Sequence, residues 1–275
     1  MSNDAERKAR IKQDFVDARG YWSRGWDPLL DMAPDYFEAY AKLSSVPWKP
    51  GSTLSPKVKE LLYIAIDSST THMYEPGLRI HIRNALGHGA TRDEIMEVFQ
   101  LTSSIGSHTV LMGVPHLLDA MRRAGREDEI QSSALTPRQQ ELKAAFTAAR
   151  GYWSEMWNGV LTLSPDYFEA YAEFSSVPWK HGTLEPKIKE FVYIAIDTAT
   201  THLYEPGTRI HMANALKHGA TPAEIMEVLA LTSVLGVHTM AVGVPALLAE
   251  LKRAEEKKTA RSQQLSVMPL ANNAN

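Results

Sequence analysis

The stretch SPKVKELLYIAID, residues 55–67, spaces its apolar side chains as an amphipathic α-helix does. They recur every three or four residues, at Val58, Leu61, Leu62 and Ala65. Ser55 and Pro56 precede them in the order that is typical of an N-cap followed by the first helical position. The pattern therefore predicts a helix that begins at Pro56.

The same pattern returns later in the chain. Aligning Arg19 onward with Arg150 onward matches RGYW, PDYFEAYA, SSVPWK, YIAID, YEPG, HGAT and EIMEV in one order. Roughly six positions in ten are identical, which indicates a tandem duplication of one unit. We predict a first repeat over 1–127, a linker over 128–137, a second repeat over 138–254 and a disordered tail over 255–275.

Further helix starts support one fold class. Thr91 with Glu94, and Thr136 with Gln139, have the spacing of a capping box. No convincing alternation of apolar and polar residues predicts strands. We therefore predict an all-α protein of two tandem homologous domains, with about five or six helices in each repeat.

Composition excludes several classes of function. The 275-residue chain has a net charge of −3 and no cysteine. A mildly acidic protein lacks the basic surface that binds nucleic acid, and without thiols there is no disulfide, thiolate metal site or cysteine nucleophile. The charged N-terminal segment does not resemble a secretory signal, and the longest apolar stretches contain histidine, proline and glycine. We expect a cytoplasmic protein with no membrane or nucleic-acid partner.

The string THMYEPGLRIH, residues 71–81, returns as THLYEPGTRIH at 201–211 and carries the candidate chemistry. The candidate groups of the two repeats are Glu60, His72, Glu75 and His81, and Glu190, His202, Glu205 and His211, with His108 and His238 as outer candidates on a following helix. A glutamate beside a histidine is a plausible proton-transfer unit, and the same residue types can bind a metal. A purely structural role is an equally open reading of each histidine.

Two local expectations concern the surroundings of these groups. Glu60 and Asp67 are seven residues apart, so they share a helix face, for which a solvated acidic surface is the simplest interpretation. Pro76 and Gly77 are expected to interrupt any helix, so that the next helix begins near Leu78.

The frame KELLYIAID…H…NALGHGATRDEIMEV resembles the carboxymuconolactone decarboxylase and alkylhydroperoxidase-D-like superfamily. The resemblance covers 56–115 and 186–245. It implies small all-α domains that assemble as trimers or hexamers, so a chain with two domains would form a homotrimer that resembles a hexamer.

The peroxidase branch of that superfamily uses a glutamate, a Cys-x-x-Cys pair and a histidine. Glu60 and His81 match the first and the last, whereas His72 and Glu75 occupy the places of the cysteines. Dithiol peroxidase activity is therefore ruled out.

The decarboxylase branch, which also lacks the cysteine pair, is the nearer resemblance. It implies a cofactor-independent lyase that acts on a small oxygenated carboxylic acid or lactone. His81 and His211 would then protonate carbon, with Glu60 and Glu190 orienting them. The substrate-binding side chains would be Arg79, Arg209, Tyr74 and Tyr204, with His108 and His238.

Two alternatives stay open at this stage. One is an enzyme that binds a divalent metal through His72, Glu75 and His81, and through His202, Glu205 and His211. The other is a non-catalytic ligand-binding or assembly protein in which Glu75 caps a helix. The sequence leaves open the substrate and whether both repeats are active.

Overall fold

The computed structural model describes residues 2–130 and 134–266, and these contain α-helices and short 3-10 helices but no strand. The helices of the first repeat are α1 (Ser2–Arg19), α2 (Asp27–Met32), α3 (Pro34–Ser44), α4 (Pro56–Ser68), α5 (Glu75–Gly87), α6 (Arg92–Ser103) and α7 (Ser107–Arg123). Those of the second are α8 (Pro137–Arg150), α9 (Trp157–Leu163), α10 (Pro165–His181), α11 (Pro186–Thr198), α12 (Glu205–Lys217), α13 (Pro222–Ser233) and α14 (His238–Ser266). The all-α prediction is confirmed.

Each repeat has seven α-helices within the described residues, not the predicted five or six. The sequence reasoning missed short helices, since α2 has 6 residues and α9 has 7. Such lengths cover at most two turns and give no readable apolar period.

The predicted helix starts agree with the structure at three sites. Ser55 accepts a hydrogen bond from the Val58 amide at the start of α4. The capping boxes of α6 and α8 are both formed, Thr91 with Glu94 and Thr136 with Gln139. These local signals were sufficient because each cap satisfies amides that a helix leaves free at its own N-terminus.

The predicted start of α5 at Leu78 is wrong, because the helix begins at Glu75. Proline is tolerated in the first turn, where its missing amide hydrogen has no helical partner. Gly77 is helical and buried, and a Cβ at this position would lie 2.2 Å from Asp67 Oδ2. Glycine therefore allows α5 to approach α4 closely and does not break the helix.

The chain forms two compact units, one of residues 1–51 with 234–275 and one of residues 52–233. These units are not the repeats, whose predicted boundaries stay a prediction. Residues 131–133 of the predicted linker lie outside the described residues. The predicted tail starts inside α14, which extends to Ser266, and 267–275 also lie outside the described residues.

In the first unit, α1, α2 and α3 pack against the beginning of α14. Phe15, Leu29 and Phe37 share one buried cluster with Val237 and Val244. The opening helices of the first repeat thus complete their core with the last helix of the second.

The second unit contains the reciprocal arrangement. Phe146 of α8, Trp157 of α9 and Phe168 of α10 form a buried cluster with Leu111 of α7. The opening helices of the second repeat thus pack against the last helix of the first. Each repeat supplies its final helix to the other.

Helices α4 and α11 lie at the centre of the second unit and contact each other. Every residue from Lys59 to Asp67 is buried, as is every residue from Ile188 to Asp197. The expected solvated acidic face is therefore wrong: Glu60 is 1% exposed and Asp67 2% exposed. Buried carboxylates must be neutralised, paired or hydrogen-bonded, which makes these positions chemically notable.

One helical segment, Pro222–Ala260, is long and apolar enough to cross a membrane by length and composition alone. This is weak evidence, because core helices of soluble proteins meet the same criterion. Ile225, Val228 and Leu231 on α13 are in fact buried within the second unit. These apolar side chains of α13 therefore belong to the core of that unit.

Candidate active site

In the first repeat, a glutamate on α4 meets a histidine on α5. Glu60 Oε2 lies 2.6 Å from His81 Nδ1, and Asn84 donates to Glu60 Oε1 at 3.3 Å. The ring of Tyr63 stacks on the imidazole with centroids 4.5 Å apart. Nδ1 of His81 therefore faces Glu60, and Nε2 is the ring nitrogen on the other side.

The second repeat has the same arrangement between α11 and α12. Glu190 Oε2 lies 2.6 Å from His211 Nδ1, and Tyr193 stacks on the ring at 4.4 Å. The His211 side chain is 15% exposed and the Glu190 side chain 3%. This histidine is thus more accessible than His81, whose side chain is 9% exposed.

A second carboxylate lies at the C-terminal end of the central helix in each repeat. Asp67 Oδ2 is 4.0 Å from His81 Nε2, the ring nitrogen opposite Glu60. Burial and then Glu60 raise the pKa of Asp67 to about 8, and burial raises the pKa of Asp197 to about 7. Each of these aspartates is therefore far easier to protonate than an exposed one.

Glycine makes room for both aspartates. A Cβ at Gly207 would lie 2.1 Å from Asp197 Oδ2, as a Cβ at Gly77 would press on Asp67. The YEPG motif of each repeat thus fits its buried aspartate against the first turn of α5 or α12.

A histidine from the first repeat joins the second-repeat site. His108, at the start of α7, has Nδ1 2.7 Å from His202 Nε2, and its ring stacks on Tyr204 at 3.8 Å. Burial, then His202 and His211, lower the pKa of His108 to about 3. The pKa of His202 is also lowered by burial, so both imidazoles are neutral at physiological pH.

His108, Tyr204 and His211 border a cavity of about 60 Å³ in the second unit. Polar groups on its wall include His108, Arg150, Tyr152, Tyr171, Tyr193, Tyr204 and His211. Apolar groups include Leu111, Phe146, Trp157 and Ile210. The wall is thus about equally polar and apolar, and convergent polar groups of this kind are what fixes the orientation of a small molecule in its site.

Arg150 is the cation of this cavity. Its Nη2 donates to the Ser175 carbonyl at 2.8 Å, whereas its buried Nε has no hydrogen-bond partner among the described residues. Its guanidinium also lies over Trp179 at 5.3 Å. A guanidinium held in this way retains donors for an acidic ligand.

The two arginines expected to bind a substrate carboxylate lie elsewhere. Arg79 and Arg209 pair with Glu75 and Glu205, four residues earlier, and all four side chains are at least 68% exposed. Arg79 lies two residues before His81, about 200° around the helix, so the two side chains point to opposite faces.

Glu75 and Glu205 are exposed, so they do not join the histidines with which they were expected to bind a metal. Glu75 and Glu205 belong to neither group of side chains that could hold a metal ion in the described part of the chain. The sets His72, Glu75, His81 and His202, Glu205, His211 are therefore not assembled. The group in the second unit is instead His108, Asp197 and His202.

Tyr74 and His238, the remaining candidates, have different positions. Tyr74 directly precedes α5, with its ring 5.8 Å from that of His72, and His72 Nε2 lies 3.8 Å from Asp67 Oδ1. His238 is the first residue of α14 and belongs to the other compact unit.

Sequence reasoning missed Asp197, Tyr193, Arg150 and Tyr152 as site residues. A signal was available, because YIAID and RGYW recur in both repeats. YIAID contains the stacking tyrosine and the buried aspartate, and RGYW contains the cavity arginine and Tyr152. The two strings were used only as evidence of the duplication and of an amphipathic helix, so their polar members were not considered as site residues.

Comparisons with known proteins agree with this architecture. The model of the carboxymuconolactone decarboxylase family matches residues 34–122 and 165–256. A crystal structure from Burkholderia xenovorans LB400, assigned provisionally as a gamma-carboxymuconolactone decarboxylase subunit, has a TM-score of 0.85 and 45% identity, covering 90% of this chain and 98% of that chain. No curated protein matches the sequence. The chain belongs to the carboxymuconolactone decarboxylase family and carries the family's domain twice.

Proposed function

We propose that the chain is a lyase, most similar to a decarboxylase, that acts on a small oxygenated carboxylic acid or lactone in the cavity of the second unit. The observation that carries this proposal is the Glu190–His211 pair at 2.6 Å, with His211 on the wall of the same cavity as Arg150. Family membership supports the reaction class, and the charge of Arg150 favours an acidic substrate.

Decarboxylation breaks the bond between a carboxylate carbon and its neighbour. Carbon dioxide leaves, and the electron pair stays on the substrate, where a conjugated carbonyl delocalises it as an enolate. Carbon must then receive a proton. A histidinium at position 211 can deliver it, and Glu190 stabilises the charged ring as a carboxylate does in other acid–base pairs.

Tyrosines on the cavity wall suit the enolate oxygen. Burial raises the pKa of Tyr204 to about 12 and also raises the pKa of Tyr152. Both hydroxyls therefore remain protonated at neutral pH and can donate a hydrogen bond. A donor fixed in a partly desolvated cavity stabilises developing negative charge more than bulk water does.

The first repeat repeats the acid–base pair in Glu60 and His81, which supports chemistry in both halves. The lower exposure of His81 favours the second repeat as the more active one. We also propose a homotrimer in the cytoplasm, which rests on the family resemblance and on the cysteine-free composition.

The test is release of carbon dioxide from gamma-carboxymuconolactone and from a panel of small lactone acids and keto acids. We expect His211→Ala to lower kcat/KM by about 10²–10⁴ and the double variant His81→Ala, His211→Ala to abolish turnover. His116→Ala, an exposed position on α7, is the control and should change nothing. Full turnover by a folded double variant would refute the acid–base role.

A further inference from the structure

Three potential metal ligands converge beside the cavity of the second unit. His108 is the second residue of α7, Asp197 lies near the end of α11, and His202 lies in the turn before α12. One ligand atom from each side chain lies within 4.8 Å of the others. Two repeats contribute to this cluster, so neither half of the sequence contains it alone.

Asp197 is an unpartnered buried carboxylate. The residue is 1% exposed, and neither carboxylate oxygen accepts a hydrogen bond from the described residues. The distance from His108 Nδ1 to Asp197 Oδ1, 3.8 Å, is too long for a hydrogen bond. A buried carboxylate without donors is costly unless a proton or a cation compensates it.

The distances around Asp197 are close to those of a coordination shell. His108 Nδ1 and His202 Nε2 lie 2.7 Å apart, and His108 Nδ1 lies 3.8 Å from Asp197 Oδ1. Ligands about 2.0–2.1 Å from a tetrahedral ion are roughly 3.3–3.4 Å from one another. Separating the two imidazoles by about 0.6 Å, and bringing Asp197 Oδ1 about 0.4 Å closer to His108 Nδ1, would therefore give these two distances.

The helix next to Asp197 also leaves room for this cluster. Gly207 leaves space for the carboxylate of Asp197, because a Cβ at position 207 would collide with it.

We propose that His108, Asp197 and His202 bind one divalent transition-metal ion, with zinc as the best match to two imidazole nitrogens and one carboxylate oxygen. Three protein ligands leave a coordination position for water or for a substrate oxygen. His108 and His211 line the same cavity, so the ion would act on the same bound substrate as His211.

This proposal goes beyond the acid–base function and does not depend on it. An ion that takes part in the reaction would make the expectation of a cofactor-independent reaction wrong, whereas an ion that only stabilises the fold would not. The ion would supply a Lewis acid for a carbonyl or enolate oxygen.

The experiment measures binding, not turnover. Full-length protein, stripped with a chelator and then dialysed, is titrated with Zn²⁺ by calorimetry, and with Co²⁺ while its visible absorption is recorded. Wild type, Asp197→Asn, His202→Ala and the control His116→Ala are compared, with circular dichroism as the check on folding. His202 is partly exposed and Asn matches Asp in size, so both variants are expected to fold.

We expect one zinc ion per chain to be lost in Asp197→Asn and His202→Ala and retained in His116→Ala. Cobalt should give the strong visible bands of tetrahedral coordination in wild type, and these bands should weaken in the two ligand variants. Wild-type protein that binds neither ion, or ligand variants with unchanged stoichiometry, would overturn the proposal. Loss of zinc binding with carbon dioxide release intact would refute only a catalytic role of the ion.

Discussion

Lys189 of the second repeat and Glu97 of the first form a buried ion pair, with Nζ 2.8 Å from Oε1. Glu97 also accepts hydrogen bonds from the amides of Thr183 and Leu184, at 2.6 and 3.0 Å. The reciprocal pair joins Lys59 to Glu227 at 3.1 Å. Glu97 and Glu227 thus each bind the central helix of the other repeat and the loop that precedes it.

We expect Glu97→Gln to destabilise the protein by about 3–5 kcal/mol, because it leaves a buried ammonium group without its counter-charge. Urea unfolding measures this difference. Glu75→Gln is the control, since its pair with Arg79 is exposed and should contribute less than about 1 kcal/mol. Equal losses of unfolding free energy in the two variants would show that the buried pair stabilises the protein no more than the exposed one.

Gly207→Ala should disturb the site through Asp197. The added methyl would lie 2.1 Å from Oδ2 and 2.7 Å from a ring carbon of Tyr204, so helix or aspartate must move. We expect a loss of about 1–3 kcal/mol with a larger loss of activity.

Gly113→Ala on α7 is the matched control for that substitution. A Cβ there meets nothing within 4 Å, so alanine should stabilise the helix by about 0.5–1 kcal/mol. Thermal unfolding measures both effects. A neutral Gly207→Ala variant would contradict the close approach of α12 to the aspartate.

Arg150→Lys should raise KM for an acidic substrate by about tenfold or more, because lysine lacks the planar set of donors that binds a carboxylate. Arg209→Lys, in an exposed pair, should leave KM unchanged. Steady-state kinetics with an acidic substrate and its methyl ester separate charge recognition from general damage. If the ester and the acid are affected equally, Arg150 does not recognise the carboxylate.

Asp67 predicts a pH dependence of stability. Its folded pKa is raised to about 8 from an ordinary 3.8 by burial and by Glu60, with His72 and His81 as the neighbouring imidazoles. The folded state therefore holds a proton that the unfolded chain releases. The contribution of Asp67 to stability is complete below about pH 4 and is lost as the pH rises towards 8.

Asp67→Asn removes this titration while keeping the shape of the side chain. The free energy of unfolding of the variant, relative to wild type, should rise between pH 5 and pH 8. Urea unfolding at intervals of one pH unit measures it. A difference that stays constant over this range would mean that the Asp67 carboxyl does not titrate there.

Local signals in the sequence were sufficient for much of this structure. Capping residues such as Thr91 and Thr136 act within one helical turn, and Glu60 and His81 matched a family frame. Contacts between repeats were beyond such reasoning. His108 and His202 are 94 positions apart, and only the exchange of final helices brings them together.

The wrong prediction for the two arginines has a simpler cause. Proximity in sequence suggested that Arg79 and Arg209 act beside the histidines, but a separation of two residues on a helix directs side chains to opposite faces. Arg150, at the end of α8, was assigned no role, although it lines the cavity with His211.

The exchange of α7 and α14 between repeats has a consequence for how this protein can be divided. A polypeptide with one repeat alone would expose the apolar side of its opening helices and would need a second copy to cover it. Joining the two copies in one chain replaces an association between molecules by an intramolecular one, which no longer depends on protein concentration. Separately expressed halves should therefore complete their cores only by associating with another repeat, and that association should be lost on dilution.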